Sequence, residues 1–219
     1  MTGVYSGISF LKAGALLALV FFSFLMLRIS LQYVPYAPDV AFLRIKQDVV
    51  HHSWYLPAFY VHVWTSFFLL LPGFTQFSEK IRSKIPALHR AMGRLYVTVI
   101  LLFAAPSGFV IGLVANGGLP SRLAFCLLAG LWFLYTLMGL RAILRGDVAQ
   151  HRAFLLRSFA LSLSAITLRA WKWFLVFLLA PRPMDVYMVV AWLGWIPNLL
   201  AVELYLYYER GKKETGHIE

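Results

Sequence analysis

Two short basic segments of the chain have the same order, His-Arg-Ala with a second arginine close behind, and each opens a long apolar stretch. The first segment begins at His89 and the second at His151. A neutral imidazole is a good iron ligand, and two imidazoles on facing helices supply the axial pair that a b-type haem needs. We therefore predict that His89 and His151 are metal ligands and that the cofactor is haem b.

The residues beside the two histidines fit this prediction. Gly93 lies one helical turn after His89, where the lack of a side chain would let a flat macrocycle approach the backbone. Arginine pairs well with carboxylates, so the arginines of both segments are candidate partners for haem propionates. They are Arg90, Arg94, Arg152 and Arg157. The alternative is that the histidines are ordinary interfacial residues and that the arginines anchor the helix ends at the cytoplasmic surface.

Further polar residues fall inside apolar stretches, where an ionisable group is costly and suggests function. They are His62, Arg169, Asn198 and Glu203. His62 is a candidate second ligand or proton-transfer group; the alternative is a core histidine bonded to a carbonyl or to Ser66. A buried carboxylate needs a partner, so we expect Glu203 to pair with an arginine of the repeated segments, with a proton relay as the alternative.

The composition places these residues in a membrane. The chain has 219 residues, of which 61% are hydrophobic and 13% charged, and its mean hydropathy is +0.74. Such a chain has too few polar residues to coat a soluble globule. The net charge of +11 lies mainly at the ends of apolar runs, which favours a lipid bilayer as the partner and not nucleic acid. The single cysteine, Cys126, excludes an internal disulfide and a thiolate metal cluster.

Six apolar stretches are long enough to span a membrane, since a spanning helix needs about 20 residues. They are roughly 11–31, 54–76, 91–114, 123–144, 154–179 and 186–208. Most connections are short, so we predict an all-α bundle of six transmembrane helices forming a single domain over residues 1–219. The exception is an interfacial segment, 35–52, in which Asp39 is expected to cap a short helix that turns Val40, Leu43 and Val50 inward.

The distribution of cationic residues predicts the orientation. Six spans place both termini on one side, and that side also holds both His-Arg segments. This side collects thirteen of the 20 Lys and Arg residues. The positive-inside rule then makes both termini cytoplasmic, in a multi-pass protein of the bacterial inner membrane.

The order of polar residues from the second helix onward resembles a bacterial family of predicted membrane proteins, domain of unknown function 2306. The residues that carry the resemblance are His62, Gly73, Gln76, Arg82, His89, Arg90, Gly93, Arg94, Tyr96, Gly146, Asp147, His151, Arg152, Arg157, Arg169, Asn198 and Glu203. The resemblance covers nearly the whole chain after the first helix. It supplies no activity.

A more distant resemblance is to the cytochrome b561 family, six-helix proteins that pass electrons across membranes through two b haems. In that family a histidine early in one helix is followed by a basic loop and a second histidine at the next helix, as are His62, Arg82 and His89 here. The family holds its haems between histidine pairs on four successive helices. This chain has no histidine in its fourth apolar stretch and so departs from the family at the outer haem; only His89 and His151 have a counterpart pair there.

These observations lead to one main hypothesis and two alternatives. The main hypothesis is a haem b membrane oxidoreductase that exchanges electrons with a quinol or a small reductant. The first alternative is a transporter or a protein binding small molecules or lipids, in which His62, Arg169 and Glu203 line a polar pathway. The second is an accessory subunit whose buried polar groups only specify packing.

Overall fold

A computed structural model of the chain describes residues 3–180 and 183–215, and in these residues it contains helices and turns but no strand. The helices are α1 (Gly3–Leu31), α2 (Tyr55–Phe68), α3 (Leu70–Gln76), α4 (Glu79–Lys84), α5 (Pro86–Val99), α6 (Ala105–Gly112), α7 (Gly118–Leu144), α8 (Val148–Ser162), α9 (Ser164–Leu179), α10 (Pro183–Leu193) and α11 (Ile196–Thr215). A 3-10 helix covers Ala41–Ile45, and a π-helical turn, Ile100–Ala104, joins α5 to α6. The prediction of an all-helical fold is confirmed.

Three helical segments of the described chain are long and apolar enough to cross a membrane. They are Pro86–Gly112, Gly118–Leu144 and Asp185–Lys212. Helices α8 and α9 are together long and apolar enough to cross a membrane, although they meet at a bend of 40°. They make a fourth candidate if the bent pair is counted as one span. A helix of 27 residues is about 40 Å long, more than the hydrocarbon core of about 30 Å. Three or four spans are therefore supported, and the count of six stays a prediction.

Prolines mark several interruptions that the apolar pattern alone does not locate. Pro72 falls in the first turn of α3, Pro106 in the first turn of α6 and Pro197 in the first turn of α11. Proline lacks a backbone N–H and crowds the preceding turn, so it is tolerated where a helix starts and disrupts a helix that tries to continue through it. The predicted second and sixth stretches accordingly consist of two helices each.

Helices α7 and α8 form a closely packed antiparallel pair. A tight turn joins them, in which Gly146 has a φ of +80° and Asp147 caps α8 by accepting a hydrogen bond from the Gln150 backbone N–H at 2.9 Å. Gly139 of α7 allows the close approach, because a methyl group there would overlap the Leu155 side chain of α8. The second His-Arg segment thus begins in a firmly fixed first turn.

The interfacial segment was predicted correctly in its burial but not in its cap. Leu43 and Val50 are buried and Val40 is partly buried. The prediction that Asp39 caps a helix here is wrong: the helix is 3-10, its N-cap position is held by Val40, and no side chain caps it. Asp39 lies one residue too early to reach the first free N–H groups.

Candidate functional site

The structure brings the two His-Arg segments to one end of the bundle. His89 lies in the first turn of α5 and His151 in the first turn of α8. The chain runs from α5 through α6 to the opposite end and returns along α7, so α8 starts on the side where α5 started. The two imidazoles are near enough to interact electrostatically.

A hydrogen bond two turns deeper shows how the two helices face each other. Tyr96 and Ser158 each lie seven residues after the histidine of their own segment, and the Tyr96 hydroxyl lies 2.9 Å from Ser158 Oγ. Residues seven apart share one face of an α-helix. The faces of α5 and α8 that carry His89 and His151 are therefore turned towards each other.

The two imidazoles differ in their hydrogen bonding. His151 Nδ1 lies 2.8 Å from the Gly139 carbonyl oxygen, and since a carbonyl only accepts, Nδ1 carries a proton, which in the neutral imidazole leaves the lone pair on Nε2. His89 Nδ1 is buried and has no hydrogen-bond partner among the described residues. A buried polar atom without a partner costs free energy. The Thr75 backbone lies close enough to the imidazole to act on it as a hydrogen-bond partner, so the unsatisfied group is the Nδ1 atom and not the whole His89 side chain.

Two arginines of the second segment are held by carboxylates of α11. The Arg157 guanidinium donates two hydrogen bonds to the Glu203 carboxylate, at 2.5 and 2.7 Å. Arg152 donates to Glu209 at 2.5 and 3.0 Å and to the Tyr205 hydroxyl at 2.8 Å. The expectation that Glu203 pairs with an arginine of the repeated segments is confirmed. These bonds use part of the hydrogen-bonding capacity of the Arg152 and Arg157 guanidinium groups, each of which has five N–H donors.

The first segment is open in comparison. Arg90 and Arg94 are exposed, and neither forms an ion pair within the part of the chain that the structure describes. Gly93 is less open than expected, because a methyl group there would lie 3.2 Å from Gln76 Oε1. Gln76 also donates a hydrogen bond from Nε2 to the His89 carbonyl oxygen at 3.0 Å. A macrocycle can reach the backbone at Gly93 only if this side chain moves.

A buried network of hydroxyl groups lies beneath the histidines, and the sequence analysis did not identify it. The Tyr96 hydroxyl lies 2.9 Å from both Ser158 Oγ and Ser162 Oγ. Trp132 Nε1 donates to Ser162 Oγ at 3.1 Å, and Thr136 Oγ1 lies 2.7 Å from Ser158 Oγ. These five side chains are buried and join α5, α7 and α8. The spacing of Ser158 and Ser162, one turn apart in an apolar stretch, was the available signal.

His62 lies far from the histidine pair. Its Nδ1 donates to the Ala104 carbonyl oxygen at 3.0 Å, and its ring fills the space beside Gly108, where a methyl group would lie 2.9 Å from Cε1. Ala104 follows His89 by fifteen residues, which corresponds to about 22 Å along a helix. The core-histidine alternative, with a carbonyl as partner, is therefore the one that the contacts match.

Two other polar residues have separate surroundings. Arg169 donates to the Ala165 carbonyl oxygen at 2.6 Å and is near enough to His62 to interact electrostatically. Asn198 Nδ2 lies 3.1 Å from the Ala160 carbonyl oxygen and 3.0 Å from Thr167 Oγ1. Asn198 therefore bridges the bend between α8 and α9, a structural position.

Comparison with known proteins gives a family and no activity. No curated protein and no solved structure shows significant similarity to the chain. A family model described as a predicted membrane protein, DUF2306, matches residues 59–206, which is more than half of the 219 residues and includes both His-Arg segments. The chain therefore belongs to the DUF2306 family of predicted membrane proteins.

Proposed function

We propose that this chain is a b-type haem protein of the membrane that exchanges electrons with a quinol or a small reductant, with His89 and His151 as the axial ligands. The observation that carries the proposal is a pair of imidazoles that lie in the first turns of two facing helices, at the same end of the bundle.

The number and type of ligands fit haem better than a metal ion bound by protein alone. Within residues 3–180 and 183–215, no group of three or more His, Cys, Asp or Glu side chains could hold a metal ion. A haem iron needs only two axial ligands from the protein, because the macrocycle supplies the others. The bound haem would supply one-electron redox chemistry.

The protein groups around the pair would take separate roles. His151 is fixed by its bond to Gly139 and presents Nε2 with a lone pair. Arg90 and Arg94 are exposed cations at the same end of the bundle and are the propionate partners that we propose. Arg152 and Arg157, which the sequence also suggested for this role, instead fix α8 against α11 through Glu209 and Glu203.

The proposal includes a position in the membrane. Six spans with both termini cytoplasmic would place the histidine pair near the inner leaflet of a bacterial inner membrane. The support is the concentration of cationic residues around the two segments, since such flanks face the cytoplasm. The site would then receive electrons from the cytoplasmic side.

An absorption spectrum of the purified chain tests the haem proposal. Protein expressed with sufficient haem should show a Soret band and, after reduction, the bands of a six-coordinate b haem. The variants His89→Ala and His151→Ala should each lose these bands, whereas His52→Ala, at an exposed histidine outside the site, should keep them. A wild-type protein without a Soret band, or both site variants with an unchanged spectrum, would contradict the proposal.

A second candidate function is a pathway for a small polar molecule, and it is favoured by the presence of two ionisable side chains, His62 and Arg169, within apolar helices. We do not place Glu203 in this pathway, because its carboxylate already accepts hydrogen bonds from Arg157. The test is His62→Cys in a Cys126→Ser background, with a water-soluble thiol reagent applied to intact membranes. Labelling of residue 62 supports a water-filled pathway, and complete protection argues against one.

A further inference from the structure

A polar cavity, shallow and widely open to the surface, lies at the end of the bundle opposite the two histidines. Its volume is about 490 Å³, and it opens between the segment after the 3-10 helix and the turn that joins α6 to α7. The lining residues that matter for charge are Arg44, Lys46, Asp48 and Arg122. Helix α7 separates this cavity from the His-Arg segments by its full length, so the two sites are independent.

Lys46 is a buried ammonium group whose counter-ion, Asp48, is a distant and mostly exposed carboxylate. Its side chain is 3% exposed, and Nζ donates to the Val114 carbonyl oxygen at 2.6 Å and to Asn116 Oδ1 at 2.9 Å. Both acceptors are neutral. The Asp48 carboxylate is 3.9 Å away and 68% exposed, so solvent screens much of its attraction.

The other two cations add to this charge. Arg122 is exposed and forms no ion pair with any residue that the structure describes. Arg44 donates from Nε to the Asp39 backbone oxygen at 2.9 Å, which leaves its charge uncompensated. Three positive side chains against one negative side chain give the lining a net charge of +2.

The electrostatics of Lys46 agree with an excess of positive charge. Burial lowers the pKa of Lys46, the Asp48 carboxylate acts in the opposite direction, and the Arg122 guanidinium lowers the pKa further. An anion in the cavity would relieve the repulsion between Lys46 and Arg122. The N-terminus of α7, whose first residue Gly118 lines the cavity, would add to the attraction without being sufficient alone.

We propose that this cavity binds an anionic phosphate group, presented either by a phospholipid head group or by a free phosphate. A phosphate carries one or two negative charges and several acceptor oxygens, which complement two guanidinium groups and an ammonium group. The volume of the cavity accommodates a phosphate with its neighbouring atoms. The phosphate site does not depend on the haem proposal, so evidence against one proposal leaves the other unaffected.

The binding test uses the full chain in an uncharged sugar detergent. Inorganic phosphate and a short-chain phosphatidylglycerol are titrated separately, and binding is followed by calorimetry. Saturable binding of at least one probe is expected. Saturation by inorganic phosphate identifies a free anion, whereas saturation by the lipid alone identifies a head group. If neither probe binds saturably to the wild-type chain, the proposal is overturned.

Variants locate the binding. The double variant Arg44→Gln/Arg122→Gln should bind the probe at least about tenfold more weakly, because it removes two of the three cations. The matched control is Arg145→Gln, an exposed arginine at the other end of α7, which should keep the wild-type affinity. Unchanged affinity in the double variant, or an equal loss in the control, would overturn the proposal.

A measurement on the wild-type chain alone guards against a folding defect in the variants. Because the contact is electrostatic, the affinity for the probe should fall as sodium chloride is raised from low to high concentration. An affinity that does not change with salt would contradict a cationic phosphate site.

Discussion

The two His-Arg segments have nearly the same sequence and very different surroundings. In the second segment, His151 Nδ1 bonds to the Gly139 carbonyl, and both arginines bond to carboxylates of α11. In the first segment, His89 Nδ1 has no partner, and the two arginines form no ion pair within the described residues. For the arginines the difference comes from α11, which packs on α8 and supplies Glu203 and Glu209; for the histidines it comes from α7, which supplies the Gly139 carbonyl.

The two segments differ in the role that their polar groups can take, anchoring of helices in one and binding of a ligand in the other. A segment whose polar groups are all satisfied has a fixed geometry and gains little from a ligand. A segment with an unsatisfied imidazole and free cations gains more. The second segment therefore serves as the rigid side of the proposed site, and the first segment holds the groups that a ligand would satisfy.

The largest expected effect comes from the glycine that supports the second segment. Gly139→Ala places a methyl group on the Leu155 side chain at the closest approach of α7 and α8, and such overpacking costs roughly 2–3 kcal/mol. The equivalent test of the first segment is Gly93→Ala, whose methyl group would meet only the flexible end of Gln76. The measurement is the free energy of unfolding in mixed detergent micelles.

Two results with the variants Gly139→Ala and Gly93→Ala would contradict the difference between the two segments. Equal destabilisation by Gly139→Ala and Gly93→Ala would mean that the two segments are packed alike. A stable Gly139→Ala variant would mean that α7 and α8 are not in close contact. Gly130→Ala serves as the control, because no atom lies within 4 Å of a methyl group at this position.

The next effect is the loss of the ion pair that joins α8 to α11. Arg157→Ala removes two hydrogen bonds to Glu203, and the Arg157 side chain is only 12% exposed. Since the Glu203 side chain is 43% exposed, water compensates part of the loss, and we expect a destabilisation of about 1.5 kcal/mol. Arg94→Ala in the first segment should change the free energy of unfolding by less than about 0.5 kcal/mol.

The same pair can be tested by repair. Glu203→Gln keeps the shape of the acceptor and one carbonyl oxygen, so it should recover part of the stability that Glu203→Ala loses. If Arg157→Ala and Arg94→Ala prove equally harmless, the second segment is not anchored by α11 as the contacts indicate.

A smaller effect is expected where the two segments meet. Tyr96→Phe keeps the ring and removes the hydroxyl group that lies 2.9 Å from Ser158 Oγ and Ser162 Oγ. The serines and Thr136 can still bond to one another or to nearby carbonyl oxygens, so the cost should be about 1 kcal/mol. Tyr207→Phe, at a side chain that is 80% exposed, is the matched control and should be neutral. A neutral Tyr96→Phe would show that this network does not hold α5 to α8.

The class of fold was predictable because it depends on local composition. Long apolar runs with cationic ends require helices in a bilayer, where each backbone group must be bonded within its own helix. The interruptions at Pro72 and Pro197 were not predicted, although proline in the middle of an apolar run signals them. The six predicted stretches were therefore correct as helical regions; the first and fourth are unbroken helices, and the other four are interrupted.

The contacts of the site were less predictable because they depend on which helices are neighbours. The need of Glu203 for an arginine followed from the cost of a lone buried charge, but the choice of Arg157 depends on the packing of α11 against α8. The partner of His62 depends on the π-helical turn, which places the Ala104 carbonyl beside it. Sequence spacing within one helix carries no information on either contact.

The smallest effect on stability tests the proposed role of the first segment most directly. Arg90→Gln/Arg94→Gln removes two exposed cations with no carboxylate partner in the described structure, so the free energy of unfolding should change by less than about 0.5 kcal/mol. If these arginines hold haem propionates, the same variant should lower haem retention during gel filtration and lower the reduction potential, because two positive charges near the reduced haem are lost. Arg152→Gln should show the opposite pattern. It should lower the free energy of unfolding, because it weakens the contact with Glu209, and it should leave the reduction potential of the haem nearly unchanged. A potential that shifts with Arg152 and not with Arg90 and Arg94 would exchange the roles of the two segments.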